Sequence, residues 1–402
     1  MREFILKNGI KVCVKRNKNT PRVALSLNFS INKPEANAGQ YVLMNRLLMK
    51  GTKKYSSEEI SVILDENAID LFTEMKYDYL RFRFVALNED FELALSMMAD
   101  IIKNSTFEEF EKEKNKLKGE ILAELDSAKV KVSDLFTKTI YKNHFYGHSY
   151  TEMLKALDNV TFDDVKQAYA EIVRSSKKTP ALVGDIEQEQ AENLLNQFLA
   201  ELPISLEDDS SVGEPPFTKK EYVELIKDDA QQAQIIQGWR VASFDSEDYP
   251  KLMLLNVILG ASGLSSRLFL ELREKKGLAY TVRSSYEMHS NAAVFSIYIG
   301  TEPSNIETSI LGFKEEIEKI KNILVSEEEL SNAKNNIIGK QQFITETNAQ
   351  QANMMAYYSI TGRPFNYQAK VIESLKKVTS QELMDCAKKY FNEDFILAVL
   401  KP

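Results

Sequence analysis

Residues 39–52 read GQYVLMNRLLMKGT, an apolar stretch of helical character that ends at Lys50-Gly51-Thr52. Val42, Asn45 and Arg46 are spaced i, i+3, i+4 and therefore share one face of this helix. Catalytic zinc needs about three protein ligands with nitrogen, sulfur or carboxylate donors. A valine donates nothing, and a guanidinium cannot be deprotonated to become a ligand. For this chain alone, the stretch predicts an ordinary helix without a metal.

The chain contains an internal repeat of roughly 210 to 220 residues, long enough for a duplicated domain. The clearest sign is VTFDDV at 160–165, which is echoed by VTSQEL at 378–383. Each copy precedes a predicted helix and a closing strand. Further matching pairs of predicted strands are 23–29 with 233–239, and 79–85 with 293–299.

The order of the predicted strands and helices in each half indicates an α+β fold, with an antiparallel-rich sheet packed against helices. Between the halves, residues 206–216 read LEDDSSVGEPP, an acidic and Pro-containing stretch that is typical of a linker. We therefore predict an N-terminal domain at 1–205, a linker at 206–218 and a homologous C-terminal domain at 219–402.

The stretch at 39–52 resembles the zinc helix of the pitrilysin and insulinase metallopeptidases, the family that includes the mitochondrial processing peptidase. That family carries the inverted motif H-x-x-E-H. Counting back from Gly51-Thr52 places its positions at Val42, Asn45 and Arg46, so both histidines and the carboxylate that activates water are replaced. The resemblance covers nearly the whole chain. It implies two homologous domains that form half of a clamshell, with a second subunit closing the chamber around unfolded peptides.

The family also takes a distal glutamate as a zinc ligand. A strict count of the family spacing reaches Ala123, which lies between Glu120 and Glu124. We prefer Glu120 as the equivalent, because Glu113 stands seven residues before it as in the family helix. We predict an ion pair between Arg46 and Glu120 in place of the metal. The alternative is that Glu120 lies on the solvated face of a charged helix.

Arg273 and Tyr280 match a family pair, seven residues apart, that contacts the substrate backbone near the scissile bond. They follow the small-residue stretch 260–263 and flank Gly277, a predicted helix C-cap that leaves Arg273 in the last helical turn and Tyr280 on a strand. Guanidinium and phenol groups stabilise the negative charge that develops on the carbonyl oxygen. The alternative roles are a helix-end ion pair for Arg273 and strand packing for Tyr280. For 260–263 we expect a tight helix–strand approach or a flexible loop at the substrate.

Composition narrows the function classes further. With 44% hydrophobic and 27% charged residues the chain has a globular balance, and its net charge of -8 argues against nucleic-acid binding. No apolar run has membrane length. We expect a soluble, cytoplasmic protein, although removal of a signal peptide would leave a similar N-terminus. Cys13 and Cys386 indicate buried small hydrophobic residues.

Two functions follow from the resemblance. In the first, the chain is the non-zinc-binding subunit of a heterodimeric peptidase and is inactive alone. It binds no cofactor itself and lends Arg273 and Tyr280 to a partner that holds the zinc and cleaves unfolded peptides. In the second, it is an inert structural or peptide-binding relative, comparable to the core subunits of respiratory complexes. Retention of both residues favours the first function.

Overall fold

A computed structural model of the chain describes residues 1–204, 212–217 and 219–402. Most of the predicted linker, residues 206–211 and 218, lies outside the described part. The described residues form two β-sheets, each packed with helices, and this confirms the predicted α+β class.

The strands of the described residues are β1 (Arg2–Ile5), β2 (Lys11–Arg16), β3 (Arg22–Ser30), β4 (Asp70–Met75), β5 (Tyr79–Leu87), β6 (Lys178–Gly184), β7 (Glu221–Ile226), β8 (Ala233–Val241), β9 (Ala279–Met288), β10 (Ala293–Thr301) and β11 (Ile396–Lys401). The α-helices are α1 (Gln40–Leu47), α2 (Ser57–Glu66), α3 (Phe91–Asn104), α4 (Phe110–Leu125), α5 (Ala128–Ile140), α6 (Tyr150–Ala156), α7 (Phe162–Ser175), α8 (Gln188–Leu199), α9 (Tyr249–Asn256), α10 (Ile306–Asn322), α11 (Glu327–Phe343), α12 (Asn348–Ile360), α13 (Tyr367–Lys377) and α14 (Ser380–Tyr390). Two wider, π-helical segments lie at Val257–Ala261 and Phe269–Lys275. None of the helices in the described part is both long and apolar enough to cross a membrane.

The two sheets have the same topology. The first has the order β1-β2-β6-β3-β5-β4 and the second the order β7-β11-β8-β10-β9. In each, one parallel pair, β2 with β6 and β7 with β11, is followed by antiparallel neighbours. With β1 set aside, the sheets correspond strand for strand, which confirms the duplication predicted from the sequence.

The echoed VT segments mark the starts of equivalent helices. At α7 the Thr161 hydroxyl accepts a hydrogen bond from the Asp164 N–H (3.2 Å), and the Asp164 carboxylate accepts one from the Thr161 N–H (2.8 Å). At α14, Thr379 and Glu382 exchange the same two bonds, at 3.2 and 2.8 Å. Both copies are capping boxes, which satisfy backbone donors that a helix leaves unpaired in its first turn.

The chain divides into two compact units that exchange helices between the sequence halves. Unit 1 comprises Met1–Gly119, Leu154–Val212 and Gln342–Tyr367, and the remainder forms unit 2. Helix α12, from the second half, packs on β3 and β6 in unit 1. Helix α5, from the first half, packs on β8 and β11 in unit 2. The domain boundaries 1–205 and 219–402 remain a prediction about the repeat.

Small side chains allow the exchanged helices to approach their sheets. In unit 1, Ala24 and Ala181 of the sheet meet Ala352 and Ala356 of α12, and all four are fully buried. Cys13 belongs to the same cluster and is a free thiol, as expected for a buried small hydrophobic residue. Close approach of helix and sheet therefore depends on the absence of bulk at these positions.

Candidate functional site

Helix α1 begins where a buried carboxylate accepts backbone hydrogen bonds. The Glu35 carboxylate accepts hydrogen bonds from the N–H groups of Gly39 (3.0 Å) and Tyr41 (2.8 Å). A negative charge at a helix N-terminus is favourable, because the unpaired N–H groups there carry partial positive charge. Gly39 has a φ of 86°, a left-handed conformation that glycine adopts without strain. These bonds fix the start of the helix that carries the three replaced motif positions.

The residues at the three motif positions do not fit a zinc ion. Val42, Asn45 and Arg46 are half-buried and share one face of α1. The Oδ1 atom of Asn45 is buried and accepts no hydrogen bond from the described residues, but a single amide oxygen is a poor zinc ligand. Arg46 adds a fixed positive charge on the same face. The described part of the chain also contains no group of three or more His, Cys, Asp or Glu that could hold a metal ion.

A carboxylate offsets part of the positive charge beside this face of α1. Arg46 Nη1 lies 3.4 Å from Glu113 Oε2, and Lys50 Nζ lies 2.8 Å from Glu113 Oε1. Burial raises the pKa of Glu113, but the hydrogen bond and charge of Lys50, with a smaller contribution from Arg46, outweigh it and hold this pKa below its usual value. The negative charge of Glu113 is therefore present at neutral pH and is shared by two cations.

Glu113 is the residue that the sequence places seven positions before Glu120. Both lie on α4, where Glu113 is buried and Glu120 is exposed. The predicted ion pair between Arg46 and Glu120 would join a residue of unit 1 to a residue of unit 2, and it stays a prediction. Within unit 1, Arg46 has a carboxylate partner in Glu113.

Arg273 lies in the second π-helical segment, Phe269–Lys275. Such wide turns are rare and frequently occur at functional sites. The segment is held from both sides. Arg267, just before it, donates two hydrogen bonds to the Glu329 carboxylate at 2.8 and 2.7 Å. Leu272 packs against Gly312, where a Cβ atom would come within 2.3 Å of its side chain. Arg273 is therefore carried on a firmly supported segment.

The segment ends at Gly277, as the sequence predicts. Gly277 has a φ of +62°, and its N–H donates to the Arg273 carbonyl at 3.1 Å. Arg273 thus lies in the last turn, and β9 starts two residues after the glycine. The left-handed conformation at this position is typical of a helix C-cap.

Tyr280 is the extra residue of a β-bulge at the start of β9. Gly300 of β10 pairs with Thr281, and Thr301 pairs with Ala279, so that Tyr280 has no partner residue on β10. Strand β9 lies at the edge of its sheet, and Tyr280 is 78% exposed. Bulges are common next to active sites, where they redirect a side chain. The alternative role for Tyr280 was packing on a strand face, and the ring is too exposed for that role.

Arg273 and Tyr280 lie side by side. The guanidinium carbon of Arg273 is 5.3 Å from the centre of the Tyr280 ring and 4.8 Å from that of Phe269. At these distances the cation is attracted by both rings. The structure therefore brings together the two side chains that the sequence analysis selected, and a guanidinium and a phenol offer several hydrogen-bond donors to one ligand.

The small-residue stretch after α9 is a close contact between helix and strand. A Cβ atom at Gly260 would lie 2.1 Å from the backbone nitrogen of Ser284 on β9. The Ser284 hydroxyl lies 2.9 Å from the carbonyl oxygen of Asn256 at the end of α9 and donates across this contact. The sequence analysis expected either a tight helix–strand approach or a flexible loop at 260–263, and Gly260 lies in a tight approach. The contact anchors the strand that carries Tyr280.

Comparison with known proteins matches both halves of the chain to one family. Residues 11–155 match the family described as Insulinase (Peptidase family M16), and residues 159–337 match the domain described as Peptidase M16 inactive domain. The chain belongs to the insulinase family. It is a peptidase homologue that lacks the zinc-binding residues of the family motif.

Bacterial relatives of similar length carry different descriptions. A Bacillus subtilis protein described as the uncharacterized zinc protease YmxG is 25% identical over 100% of this chain and 98% of its own length. A Helicobacter pylori protein described as the non-peptidase homolog YmxG is 24% identical over 87% of this chain and 81% of its own. Relatives of this insulinase-family chain thus include one named for peptidase activity and one named for its absence.

Solved structures share the insulinase-family fold. A protease from Helicobacter pylori has a TM-score of 0.89 with 20% identity and covers 100% of this chain and 99% of its own. A peptidase M16 inactive domain from Pseudomonas fluorescens also has a TM-score of 0.89, with 22% identity, over 100% and 97% of the two chains. At these identities the likeness concerns the fold alone.

Sequence reasoning did not find the contacts that support Arg273 and Tyr280. The fork between Arg267 and Glu329, the contact between Leu272 and Gly312 and the bulge at Tyr280 join residues that are distant in the chain. A weak signal existed in the glycines, since Gly260 and Gly312 interrupt apolar helices where alanine would be the better helix former. An interruption of this kind often indicates a close packing contact.

Proposed function

We propose that this chain is the non-zinc-binding subunit of a heterodimeric insulinase-like metallopeptidase. Arg273 and Tyr280 enter the active site of a zinc-carrying homologue, which cleaves unfolded peptides in a shared chamber. The observation that carries the proposal is the pairing of an exposed tyrosine with an arginine at 5.3 Å, on backbone that departs from regular helix and strand. The chain itself acts without a cofactor and in the cytoplasm.

The chemistry of the pair suits this role. Hydrolysis of a peptide bond places negative charge on the former carbonyl oxygen, and donors aimed at that oxygen stabilise the transition state. The Arg273 guanidinium offers several N–H donors in a fixed plane, and the Tyr280 phenol offers one more. The zinc of the partner would supply the activated water. This chain would bind the peptide backbone and stabilise the oxyanion.

The test is co-expression of this chain with a zinc-carrying homologue and an assay on an unstructured peptide. We expect Arg273→Ala and Tyr280→Phe each to lower kcat of the assembled complex by about 10²-fold, the effect of removing one oxyanion donor in other hydrolases. Matched controls are Tyr222→Phe on β7, the opposite edge strand of the same sheet, and Arg174→Ala on α7, both on exposed side chains. The controls should leave kcat unchanged.

Three results would count against the proposal. Undiminished turnover in both variants, with the complex assembled, would show that the pair is not part of the active site. Failure to form a complex with any zinc-carrying homologue would favour the inert, scaffold-like relative. A stoichiometric zinc ion in the isolated chain, measured by atomic emission, would contradict the division of roles, because we expect none.

A further inference from the structure

An open cavity in unit 2 lies between helix α10 and the sheet, beside the turn that joins α14 to β11. All of the residues that line it belong to this one unit. Its volume of about 380 Å³ falls within the range of pockets that hold small organic ligands. Aromatic, aliphatic, amide and charged side chains all contribute to the lining, so its chemistry can be compared with that of a ligand.

Three aromatic side chains line the cavity and pack against one another. The ring centre of Trp239 lies 5.0 Å from that of Phe391 and 6.0 Å from that of Phe395. The Trp239 Nε1 donates a hydrogen bond to the Asn392 carbonyl at 2.9 Å, which ties the turn after α14 to β8. Aromatic rings pack well against a flat aromatic partner, either edge-to-face or offset. This part of the lining therefore favours an aromatic ligand.

Gln237 adds a polar requirement to the same cavity. It lies two residues before Trp239 on β8, so both side chains are on one face of the sheet. Gln237 is 6% exposed, and no hydrogen bond joins its side chain to another described residue. A buried amide normally has partners, because it otherwise loses its hydration without compensation. Since Gln237 lines the cavity, a ligand there would supply the missing donor and acceptor.

The charged side chains at the cavity balance one another. Three cations and three acids are among the described residues that line it: Lys220, Lys314, Lys321, Glu307, Glu318 and Glu393. The Lys220 ammonium lies 3.0 Å from the Glu393 carboxylate. The Lys321 ammonium lies 2.8 Å from the Glu318 carboxylate. The described lining thus has no net charge, and it favours a neutral ligand over an ion.

We propose that this cavity binds a small uncharged aromatic compound that carries a carboxamide, or the equivalent amide edge of a heterocycle. The Gln237 amide forms two hydrogen bonds with that group, donating to its carbonyl oxygen and accepting from its N–H. The aromatic ring of the ligand packs against Phe395, and Leu311 adds apolar contact from α10. Arg273 and Tyr280 are not among the lining residues, so the site is independent of the proposed peptidase partner.

The experiment uses the only tryptophan of the chain, Trp239, as the reporter, because its fluorescence responds to a ligand in the cavity that it lines. The full-length chain is titrated with benzamide. Three comparison ligands each change one feature: methyl benzoate lacks the N–H donor, cyclohexanecarboxamide lacks the aromatic ring, and benzoate adds a negative charge. We expect saturable 1:1 binding of benzamide, and binding of each comparison ligand that is weaker by about threefold or more.

Gln237→Leu should weaken benzamide binding by about tenfold, because both hydrogen bonds are lost. The same variant should raise the urea midpoint of the free protein, because a buried amide without partners is removed. The matched control is Gln234→Leu. Gln234 is also 6% exposed and lies on β8, but it is on the other face and accepts a hydrogen bond from the Tyr298 hydroxyl at 2.5 Å. This control should lower the midpoint and leave Kd unchanged.

A second variant tests the site through its apolar lining. Leu311→Ala should weaken benzamide binding by about threefold, because part of the apolar contact is lost. Leu122→Ala on α4 is its control and should leave Kd unchanged, since both leucines are 53% exposed and Leu122 is not part of the lining. Should Gln237→Leu fail to fold, this pair still tests the proposal, and an unchanged Kd in Leu311→Ala would contradict it.

Three further results would overturn the proposal. The first is the absence of saturable benzamide binding. The second is equal affinity for benzamide and any comparison ligand, because the amide, the ring or the neutral charge would then not be recognised. The third is a lower urea midpoint with an unchanged Kd in Gln237→Leu, which would make Gln237 a structural residue of the core.

Discussion

Lys178 carries its ammonium group into a region that is nearly closed to water. Burial lowers the pKa of this amine from 10.5 to about 8. Lys178 lines an open cavity together with three other cationic residues, Lys11, Lys177 and Arg363. Because the unfolded chain keeps the ordinary pKa, keeping Lys178 protonated in the folded chain costs free energy. This cost is fully present below about pH 8 and disappears as the pH rises towards 10.5.

We therefore predict that Lys178→Met stabilises the protein at pH 7, by on the order of 1 to 3 kcal/mol. Methionine keeps a long unbranched side chain and removes the buried charge. The measurement is the free energy of unfolding in urea at pH 7 and at pH 10.5, where the difference between the variant and the parent should shrink. Lys15→Met on the same sheet is the control and should change little. A loss of stability at pH 7 in Lys178→Met would show that its polar contacts outweigh the burial cost.

The sequence predicted which side chains share a helix face at the replaced motif positions. Val42, Asn45 and Arg46 do share one face of α1, as helical spacing requires. Within unit 1, Arg46 has a carboxylate partner in Glu113, which the sequence analysis did not name as a partner, and the ion pair with Glu120 stays a prediction. The contact with Glu113 was not predicted, because a single sequence does not specify which residues of a distant helix face α1.

At the scale of elements, the position of β9 depends on a glycine in another element. Gly260 leaves space for the β9 backbone at Ser284, and an added Cβ would lie 2.1 Å from that nitrogen. We predict that Gly260→Ala destabilises the fold by about 1 to 3 kcal/mol, because backbone atoms must move to relieve the clash. The measurement is the urea midpoint, which should fall at an unchanged m-value.

The matched control is Gly339→Ala on α11. No atom outside the helix backbone lies within 4 Å of a Cβ added there. Alanine is the better helix former, so this variant should gain about 0.5 to 1 kcal/mol. Equal stability of the two variants would show that the contact at Gly260 relaxes without cost.

Elements with local signals were predictable, and irregular ones were not. The capping boxes at Thr161 and Thr379 place polar residues at fixed spacing, and the C-cap at Gly277 requires a positive φ, so each carries its own signature. The π-helical segment at Phe269–Lys275 and the bulge at Tyr280 have no comparable pattern. They arise when a helix or strand must fit its neighbours, which is a property of tertiary packing.

At the scale of the whole molecule, the exchange of α5 and α12 predicts that the sequence halves do not fold well separately. A fragment 1–204 retains β1 to β6 but lacks α12, and would expose the small buried residues of its sheet. A fragment 219–402 lacks α5, whose Phe136 covers Gly238. We expect each fragment to bind a hydrophobic dye and to lose near-ultraviolet circular dichroism, as loosely packed states do.

Mixing the two fragments provides the control for this prediction. Because each fragment carries the helix that the other lacks, the mixture should recover near-ultraviolet signal and lose dye binding. Cooperative unfolding of an isolated fragment, with no dye binding, would show that the exchanged helices are dispensable.

The fold class and the duplication were visible in the sequence, because a repeated order of strands and helices survives divergence of the residues. The exchange of helices was not. The apolar face of an amphipathic helix shows that it packs against something and leaves open which sheet it covers. The predicted boundary at 205 separates the two copies of the sequence repeat. The compact units divide the chain elsewhere, because each includes a helix from the other copy.

The exchanged helix α12 has a consequence for how the protein is made. Its sheet is complete in sequence once β6 ends at Gly184, yet α12 begins only at Asn348. At a synthesis rate of about 5 to 20 residues per second, the ribosome needs on the order of ten to thirty seconds to supply the missing cover. During that interval the sheet of the nascent chain lacks its α12 cover. Its open apolar face is then a binding surface for chaperones that act on nascent chains.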